Sequence, residues 1–409
     1  MIRAFTGEFL VSPVPVHLGL NWCTHNCFYC FANLNSPERR ADYASIANTL
    51  KTVIAKNKES KNLAARLLME GHPIVASNDS DPFAKSNSDQ MRSILDNFWN
   101  QGIPVTFQTR GGEGALETLE RSPFKTMVYI SFTNDNETIR REAEPNAPSF
   151  EQRKALALAA KTLGHHVVIG LNPYVPSWWN DFDGFARWMA DNKLLHVWAG
   201  HIHISHLQAA QLSPKTKAEF AEVVELAGKK KRDTAEFDRA MSVLDQHGVN
   251  VFEHMLSSRG HFWQPYFDLG FPFFPTMDWF FSALLERGKE TGEKRIAFDF
   301  EFFNQEMNPH PDFEMSEMKD YLMPFGRSIR NEGLSAKART FREVIEWYWQ
   351  IDKYPTPLRS KRIFIAMQPD EENTRWVDES GRPILGYEDR GENPDAFHLP
   401  VKGEDIYTS

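Results

Sequence analysis

Cysteine is scarce in this chain of 409 residues, which has three, all lying between positions 23 and 30. An odd number of cysteines in one short stretch argues against a disulfide framework and for a reducing compartment, so we expect a cytoplasmic protein. Long apolar runs are missing as well. None approaches the ~20 residues that a membrane helix needs, and residues 1–10 carry charges instead of the apolar segment of a secretory signal. We therefore expect no membrane partner.

An excess of positive charge is also missing. The chain has 46 Lys and Arg against 55 Asp and Glu, a net charge of -9. This balance does not favour general nucleic-acid binding, because neutralising phosphates requires clustered Lys and Arg, although a local basic groove remains open. The basic run Lys229 to Arg232 could contact phosphate. A solvated helix end, where cations complement the helix dipole, is the preferred interpretation.

Apolar residues make up 41% of the chain, enough for a sizeable core, and their spacing alternates between strand and helix periods. Segments of helical spacing, such as Ser88 to Gln101 and Phe150 to Leu163, separate the predicted strands. Alternation of this kind predicts βαβ crossovers and a parallel sheet, whose catalytic groups lie at the carboxyl ends of the strands. The six predicted strands are Val14 to Leu20, His72 to Ser77, Ile103 to Thr109, Thr126 to Phe132, His165 to Leu171 and Leu194 to Ile204.

The cysteines follow the first predicted strand with the spacing C-x3-C-x2-C, as Cys23, Cys27 and Cys30. Three thiolates can hold three corners of a cubane iron–sulfur cluster and leave the fourth iron open. A zinc site completed by His25 or another histidine is a chemically possible alternative. A redox pair of Cys27 and Cys30 would leave Cys23 unexplained.

Motifs at successive strand ends extend this pattern. They are CTHNCFYCFA from Cys23, SNDSDPF from Ser77, TRG from Thr109, Ser131, EPNAPSFEQR from Glu144 and NPYVP from Asn172. In order and position they resemble the spore-photoproduct-lyase-like branch of the radical S-adenosylmethionine (SAM) superfamily. The resemblance covers about residues 10–205.

The resemblance implies a [4Fe-4S] cluster ligated by Cys23, Cys27 and Cys30, with SAM at the open iron. It also implies reductive cleavage of SAM to a 5′-deoxyadenosyl radical and a flavodoxin- or ferredoxin-type electron donor. Residues of the motifs would contact SAM, with Arg110 in place of the lysine usual in the family. Ordinary alternatives are a surface salt bridge for Arg110 and a backbone-satisfied hydroxyl for Ser131. The implied SAM-binding residues are Tyr29, Phe31, Ala32, Ser80, Arg110, Ser131 and Pro173.

The fold implied by the resemblance is α/β: a partial (βα)6, TIM-like radical SAM barrel with an irregular α+β C-terminal extension. We expect the barrel and its cluster loop over residues 1–205. Residues 206–353 are expected to form a helical, aromatic-rich extension that closes the barrel, and 354–409 a loop-rich acidic tail.

The substrate class implied by the resemblance is a nucleobase or nucleotide in DNA or RNA. The acidic charge favours a small molecule or peptide as the alternative. Photoproduct lyase has a hydrogen-donating cysteine after its second strand, and that position falls at Asn78 here. Since no cysteine lies outside the triad, we do not expect photoproduct repair by that route. A zinc-stabilised binding protein without redox chemistry is the alternative from another class.

His201 and His203, in an H-x-H-x-x-H pattern at the sixth strand end, are with Asn78 the candidates for a catalytic role. They could bind substrate phosphate, relay a proton or hold a second metal; otherwise they are polar residues that close the barrel. The aromatic run from Phe262 to Phe281 could stack a base, but a core wedge is the preferred interpretation.

Overall fold

The computed structural model describes the greater part of the first 274 residues and short segments beyond them. The described residues are 2–4, 13–30, 32, 40–202, 204–227, 235–252, 262–274, 283, 286–287, 290–292, 295–298, 300–307 and 385–388. The chain divides into two compact units. The first comprises Met1–Arg3, Val16–Phe252 and Pro265–Pro272, and the second comprises Ala4–Pro15, Glu253–Gln264 and Phe273–Ser409.

An eight-stranded sheet organises the first unit, and its strands follow one another in sequence order. From the second strand to the eighth, every neighbouring pair is parallel. The strands are β1 (Ile2–Ala4), β2 (Val16–Leu18), β3 (Ile74–Ala76), β4 (Val105–Thr109), β5 (Met127–Ser131), β6 (His166–Tyr174), β7 (His196–His201) and β8 (Asn250–Val251).

Helices connect these strands, as parallel pairing requires. They are α1 (Tyr43–Ile54), α2 (Leu63–Met69), α3 (Ser88–Asn100), α4 (Ala115–Arg121), α5 (Glu137–Ala143), α6 (Phe150–Thr162), α7 (Phe182–Asp191), α8 (His206–Gln211), α9 (Pro214–Glu219), α10 (Ala221–Val224), α11 (Ala235–Gln246) and α12 (Gln264–Phe267). The second unit pairs β9 (Arg295–Phe298) antiparallel with β10 (Leu385–Glu388), and α13 (Phe300–Met307) follows β9.

Helix ends and faces follow local chemistry. Ser149 begins α6 with a capping box, in which its hydroxyl accepts the Gln152 N–H and the Gln152 side chain reaches back. In α3, the buried side chains are those predicted from helical spacing: Met91, Ile94, Leu95 and Phe98. Burying each such side chain stabilises the fold by roughly 1.5–3 kcal/mol.

The two faces of the parallel sheet differ in chemistry. In-register residues of neighbouring parallel strands share a face. One face carries Val16, Ile74, Val105, Phe107, Val128, Val167, Ile169 and Val197, all buried. The other carries His17, Val75, Thr106, Gln108, Tyr129, Gly170 and Trp198. The Tyr129 ring lies over Gly170, where an added Cβ would be 2.0 Å from it, so a side chain there would displace the tyrosine.

The predicted α/β class with a parallel sheet is confirmed. All six predicted strands are present, with β1 and β8 added at the edges. Apolar residues at helical spacing, such as Ile46, Leu50 and Val53, predict one helical stretch over residues 37–70, but the structure has two helices there, α1 and α2. Phe298, Phe300 and Phe302 alternate with acidic residues, which predicts a strand, but β9 ends at Phe298 and α13 begins at Phe300. Phe300, Phe303 and Met307 also fit helical spacing, which such a short alternation cannot exclude. No helix of the described part of the chain is long and apolar enough to cross a membrane.

Candidate metal and cofactor site

The cysteine loop, residues 21–30, follows β2 at the carboxyl edge of the parallel sheet. Asn26 turns the chain with a φ of 55°, a left-handed conformation that asparagine tolerates better than most residues. The Cys30 N–H then donates to the Cys27 carbonyl at 3.1 Å, which closes a tight turn around Phe28 and Tyr29. This geometry keeps all three thiols on one compact loop.

Neighbouring strand ends hold the start of this loop. The Asn21 N–H donates to Asn87 Oδ1 at 3.1 Å, and Asn87 Nδ2 donates to the Ser80 hydroxyl at 3.0 Å. That hydroxyl in turn donates to the Asn21 carbonyl. Ser80, expected to contact SAM, therefore uses its hydroxyl to tie the turn after β3 to the cysteine loop.

His25 and Asp81 form a second tether. His25 Nε2 lies 3.2 Å from Asp81 Oδ2, and its Nδ1 donates to the Asn146 carbonyl at 3.1 Å. Asp81 also accepts from the Thr109 hydroxyl at 2.8 Å and from the Arg110 backbone N–H at 2.6 Å. Burial acts to raise the pKa of Asp81, but His25 and these donors hold the pKa below its ordinary value, so the carboxylate is charged.

A four-residue network lies beside the turn between Cys27 and Cys30. Glu144, fully buried, accepts from Arg110 Nε at 2.7 Å, from Tyr29 Oη and from Arg153 Nη2. Arg110 Nη2 also donates to Tyr29 Oη at 3.0 Å. Burial acts to raise the pKa of Glu144, yet Arg153 and Arg110 outweigh it and keep that pKa well below its ordinary value. Burial raises the pKa of Tyr29, which therefore stays a neutral donor.

The three cysteines are reduced thiols and differ in environment. Cys27 is buried, whereas Cys23 and Cys30 are half-buried. Burial and the Asp81 carboxylate raise the pKa of Cys23 to about 11, although backbone N–H groups of Asp81 and His25 that bond to its sulfur oppose the rise. Burial also raises the pKa of Cys27, against the opposing charge of Arg110. A metal would have to displace these protons, since the thiolate is the ligand.

Aromatic side chains enclose the loop on another side. Phe28 stacks on Phe220 with ring centroids 4.4 Å apart, and Tyr29 lies 5.7 Å from Trp178. Cys27 belongs to the same buried cluster. The Tyr29 carbonyl accepts from Gln208 Nε2 of α8 at 3.1 Å. Residues beyond β7 therefore help to bury Cys27.

Two buried polar groups near the cysteine loop have no hydrogen-bond partner among the described residues. Ser131, at the carboxyl end of β5, is 4% exposed, and its hydroxyl has no hydrogen-bond partner among the described residues. The indole N–H of Trp178 is also buried and has no hydrogen-bond partner among the described residues. Arg153 Nη1 donates to the Ser131 carbonyl at 3.1 Å, which fixes this strand end beside Glu144. Such orphaned groups are rare and require an explanation.

The remaining predicted residues have different surroundings. Asn78 is half-buried, and its backbone N–H donates to His17 Nε2 at 3.3 Å. Pro173 is buried within β6, and Ala32 is buried as well. The His201 ring stacks on Phe237 at 3.9 Å. Phe31 and His203 lie outside the described residues. Within the described ranges, no group of three or more His, Cys, Asp or Glu side chains is arranged around a single metal ion.

Asp81, Glu144 and Arg153 were not predicted as site residues. Charged side chains are ordinarily expected at the surface, so their burial has no signature in a single sequence. The available signals were the motif SNDSDPF, which contains Asp81, and the motif EPNAPSFEQR, which contains Glu144 and Arg153.

The fold and site so far define a parallel α/β protein with three thiols at the carboxyl edge of its sheet. No protein-family model and no curated protein matches the chain. Among solved structures, spore photoproduct lyase complexed with dinucleoside spore photoproduct is similar, with 14% identity over 59% of this chain and 78% of that chain, and a TM-score of 0.43.

A spore photoproduct lyase variant with bound AdoMet matches at 15% identity, over 59% of this chain and 78% of that chain, with a TM-score of 0.39. SuiB of Streptococcus suis bound to S-adenosylmethionine matches at 17% identity, over 61% of this chain and 50% of its own, with a TM-score of 0.37. At these identities the likeness concerns the fold alone.

Proposed function

We propose that the chain is a radical SAM enzyme, in which Cys23, Cys27 and Cys30 ligate a [4Fe-4S] cluster. The observation that carries the proposal is the three-thiol loop itself, with its spacing and its tethers at the carboxyl edge of a parallel sheet. Three thiols with no fourth fit a cluster that keeps one iron open for SAM. The rest of the chain supplies positioning and exclusion of water, as is general for cofactor enzymes.

When bound, the cluster and SAM supply a 5′-deoxyadenosyl radical on one-electron reduction, and this radical takes a hydrogen atom from the substrate. Residues of this chain that suit a SAM molecule surround the loop. The unpartnered Ser131 hydroxyl offers a hydrogen bond. Arg110 is 19% exposed and engages described residues through Nε and Nη2, which leaves Nη1 for a carboxylate.

The other predicted SAM contacts divide into two groups. Tyr29 and Ala32 are buried beside the loop and suit the packing of an adenine. Ser80 and Pro173 position the turns after β3 and within β6. Phe31 completes the set predicted from the motif.

The proposed substrate class is a nucleobase or nucleotide, with a small molecule or peptide as the alternative. The sheet face that carries His17, Thr106 and Gln108 supports a substrate with a planar ring, because Tyr129 and Trp198 also lie on it, edge to face with ring centroids 6.3 Å apart. Aromatic faces stack on bases without regard to sequence. His201, His203 and Asn78 remain candidates for substrate contacts, and a flavodoxin- or ferredoxin-type protein is the proposed electron donor.

Anaerobic reconstitution of the full chain tests the cofactor proposal. We expect about four irons and four sulfides per chain, and 5′-deoxyadenosine after addition of dithionite and SAM. Cys27→Ala should remove the cluster, while Asn26→Gly, altered at a neighbouring non-ligand but able to keep the left-handed turn, should still bind it. Zinc bound in place of iron, with no SAM cleavage, would contradict the proposal and favour a zinc-stabilised binding protein.

Substrate class is tested separately with the reconstituted protein. Fluorescently labelled DNA, RNA and free nucleotides are titrated in the presence of SAM, and Trp198→Ala is compared with the unaltered chain. We expect binding that weakens in the variant. No binding to any of these ligands would refute the nucleobase assignment and leave the radical chemistry standing. Deuterated substrate should then transfer its label to 5′-deoxyadenosine.

A further inference from the structure

The network beside Cys27 carries more positive than negative charge. Its cations are Arg110 and Arg153, its anion is Glu144, and Tyr29 is neutral, so two positive charges face one negative charge. The second tether places the Asp81 carboxylate 3.2 Å from His25 Nε2. The cysteine loop therefore lies between a network of surplus positive charge and the Asp81–His25 pair.

Arg110 is held rigidly in this network. Its backbone N–H is bonded to Asp81 at 2.6 Å and its Nε to Glu144 at 2.7 Å. Its guanidinium lies 5.8 Å from the centroid of the Tyr29 ring. Because the side chain is largely buried, water screens its charge poorly. A fixed cation at this place acts on whatever charge the loop carries.

The network contacts the turn that carries the thiols. Arg110 Nη2 donates to Tyr29 Oη at 3.0 Å, that hydroxyl donates to Glu144, and Tyr29 lies between Cys27 and Cys30 in the chain. A positive charge beside a cluster favours an added electron on it, and a negative charge disfavours it. Charge near the cluster is one of the properties by which proteins set its reduction potential.

We propose that Arg110 and Glu144 form an electrostatic pair that sets the reduction potential of the cluster, with Arg110 raising the potential and Glu144 lowering it. The inference rests on the proposed function, because it requires a cluster at the cysteine loop. Both are positioning residues, since neither contacts the iron. The step they influence is the transfer of one electron from an external donor, such as dithionite or a flavodoxin-type protein, to the oxidised cluster.

The test is the midpoint potential of the reconstituted full chain, measured without SAM by spectroelectrochemistry. Arg110→Gln should lower the reduction equilibrium constant about tenfold, equal to about 59 mV for one electron. Glu144→Gln should raise it, and the double variant should return it close to the original value. Arg110→Lys keeps the charge and should leave the potential nearly unchanged. Arg187→Gln removes an exposed cation of α7 and is the matched control.

The outcomes separate this inference from the proposed function. A chain that holds no cluster after reconstitution refutes both. A cluster whose potential is the same in Arg110→Gln and in the unaltered chain refutes the electrostatic pair alone, even if SAM affinity falls. Glu144→Gln leaves Arg110 and Arg153 without their buried anion, so this variant could fail to fold. In that case the potentials of Arg110→Gln and Arg110→Lys decide whether the charge of Arg110 sets the reduction potential.

Discussion

Acid should destabilise this protein through two histidines at the edge of the sheet opposite the cysteine loop. His166 begins β6 and His196 begins β7, with ring centroids 4.9 Å apart. Burial, with a contribution from His196, lowers the pKa of His166 to about 3. Burial lowers the pKa of His196 to about 4. Both imidazoles are therefore neutral in the folded chain at pH 5, where the unfolded chain is protonated.

The magnitude follows from proton linkage. A histidine whose pKa is lowered on folding leaves stability intact above about pH 6.5, and stability falls as pH drops from there toward the folded pKa. At pH 5, about 1.5 pH units below the pKa of histidine in the unfolded chain, each histidine lowers the free energy of unfolding by about 1.36 kcal/mol per pH unit, or ~2 kcal/mol. The two together cost ~4 kcal/mol, a large share of the 5–15 kcal/mol typical of a protein.

Urea unfolding followed by tryptophan fluorescence at pH 7.5, 6 and 5 measures the effect. His196→Gln should reduce the loss of unfolding free energy between pH 7.5 and 5 by ~2 kcal/mol relative to the unaltered chain. Comparing the two chains cancels the contributions of titratable groups that do not interact with His196. His206, an exposed residue of α8, is the matched control, and His206→Gln should leave the loss unchanged. Equal losses in His196→Gln and the unaltered chain would refute the reasoning.

Three further predictions concern the site. In the apo protein, Cys27 should react with iodoacetamide at least tenfold more slowly than Cys30, because Cys27 is buried and its pKa is raised; equal rates in mass-spectrometric mapping would contradict this. Ser131→Ala should leave the melting temperature nearly unchanged, since its hydroxyl has no partner among the described residues, yet weaken SAM binding by about 1 kcal/mol; calorimetry showing unchanged affinity would remove Ser131 from the site. Arg153→Gln should destabilise folding by about 3–5 kcal/mol because it leaves Glu144 short of a buried partner, whereas the exposed Arg187→Gln should cost under 1 kcal/mol; similar costs in urea unfolding would show that the buried pair contributes little.

Hydrophobic spacing predicted the parallel sheet because a strand covered on both faces consists mainly of apolar residues, as in Met127 to Ser131. Spacing could not show where the strand with Phe298 ends, because Phe300 and Phe303 fit a helix equally well. Motif order predicted that residues after successive strands would converge; Arg110 contacts Tyr29 of the cysteine loop, and the Ser131 carbonyl accepts from Arg153 of the network beside that loop. The burial of Glu144 depends on two arginines brought in by other elements, a cooperative arrangement that no local pattern encodes.

The contacts around the cysteine loop also determine at what point during synthesis the loop can be buried. Residues 23–30 are synthesised early, yet Gln208, which binds the Tyr29 carbonyl, lies 179 positions further along the chain. At the usual 5–20 residues per second, the ribosome needs roughly 10–40 s to produce it. During that interval Gln208 and Phe220 do not yet cover the cysteine loop, so its three thiols are exposed to oxidation and to adventitious metals. Loading with iron and sulfide should therefore be most faithful after the chain beyond β7 has emerged, and a truncated chain ending before α8 should bind metals with poor selectivity.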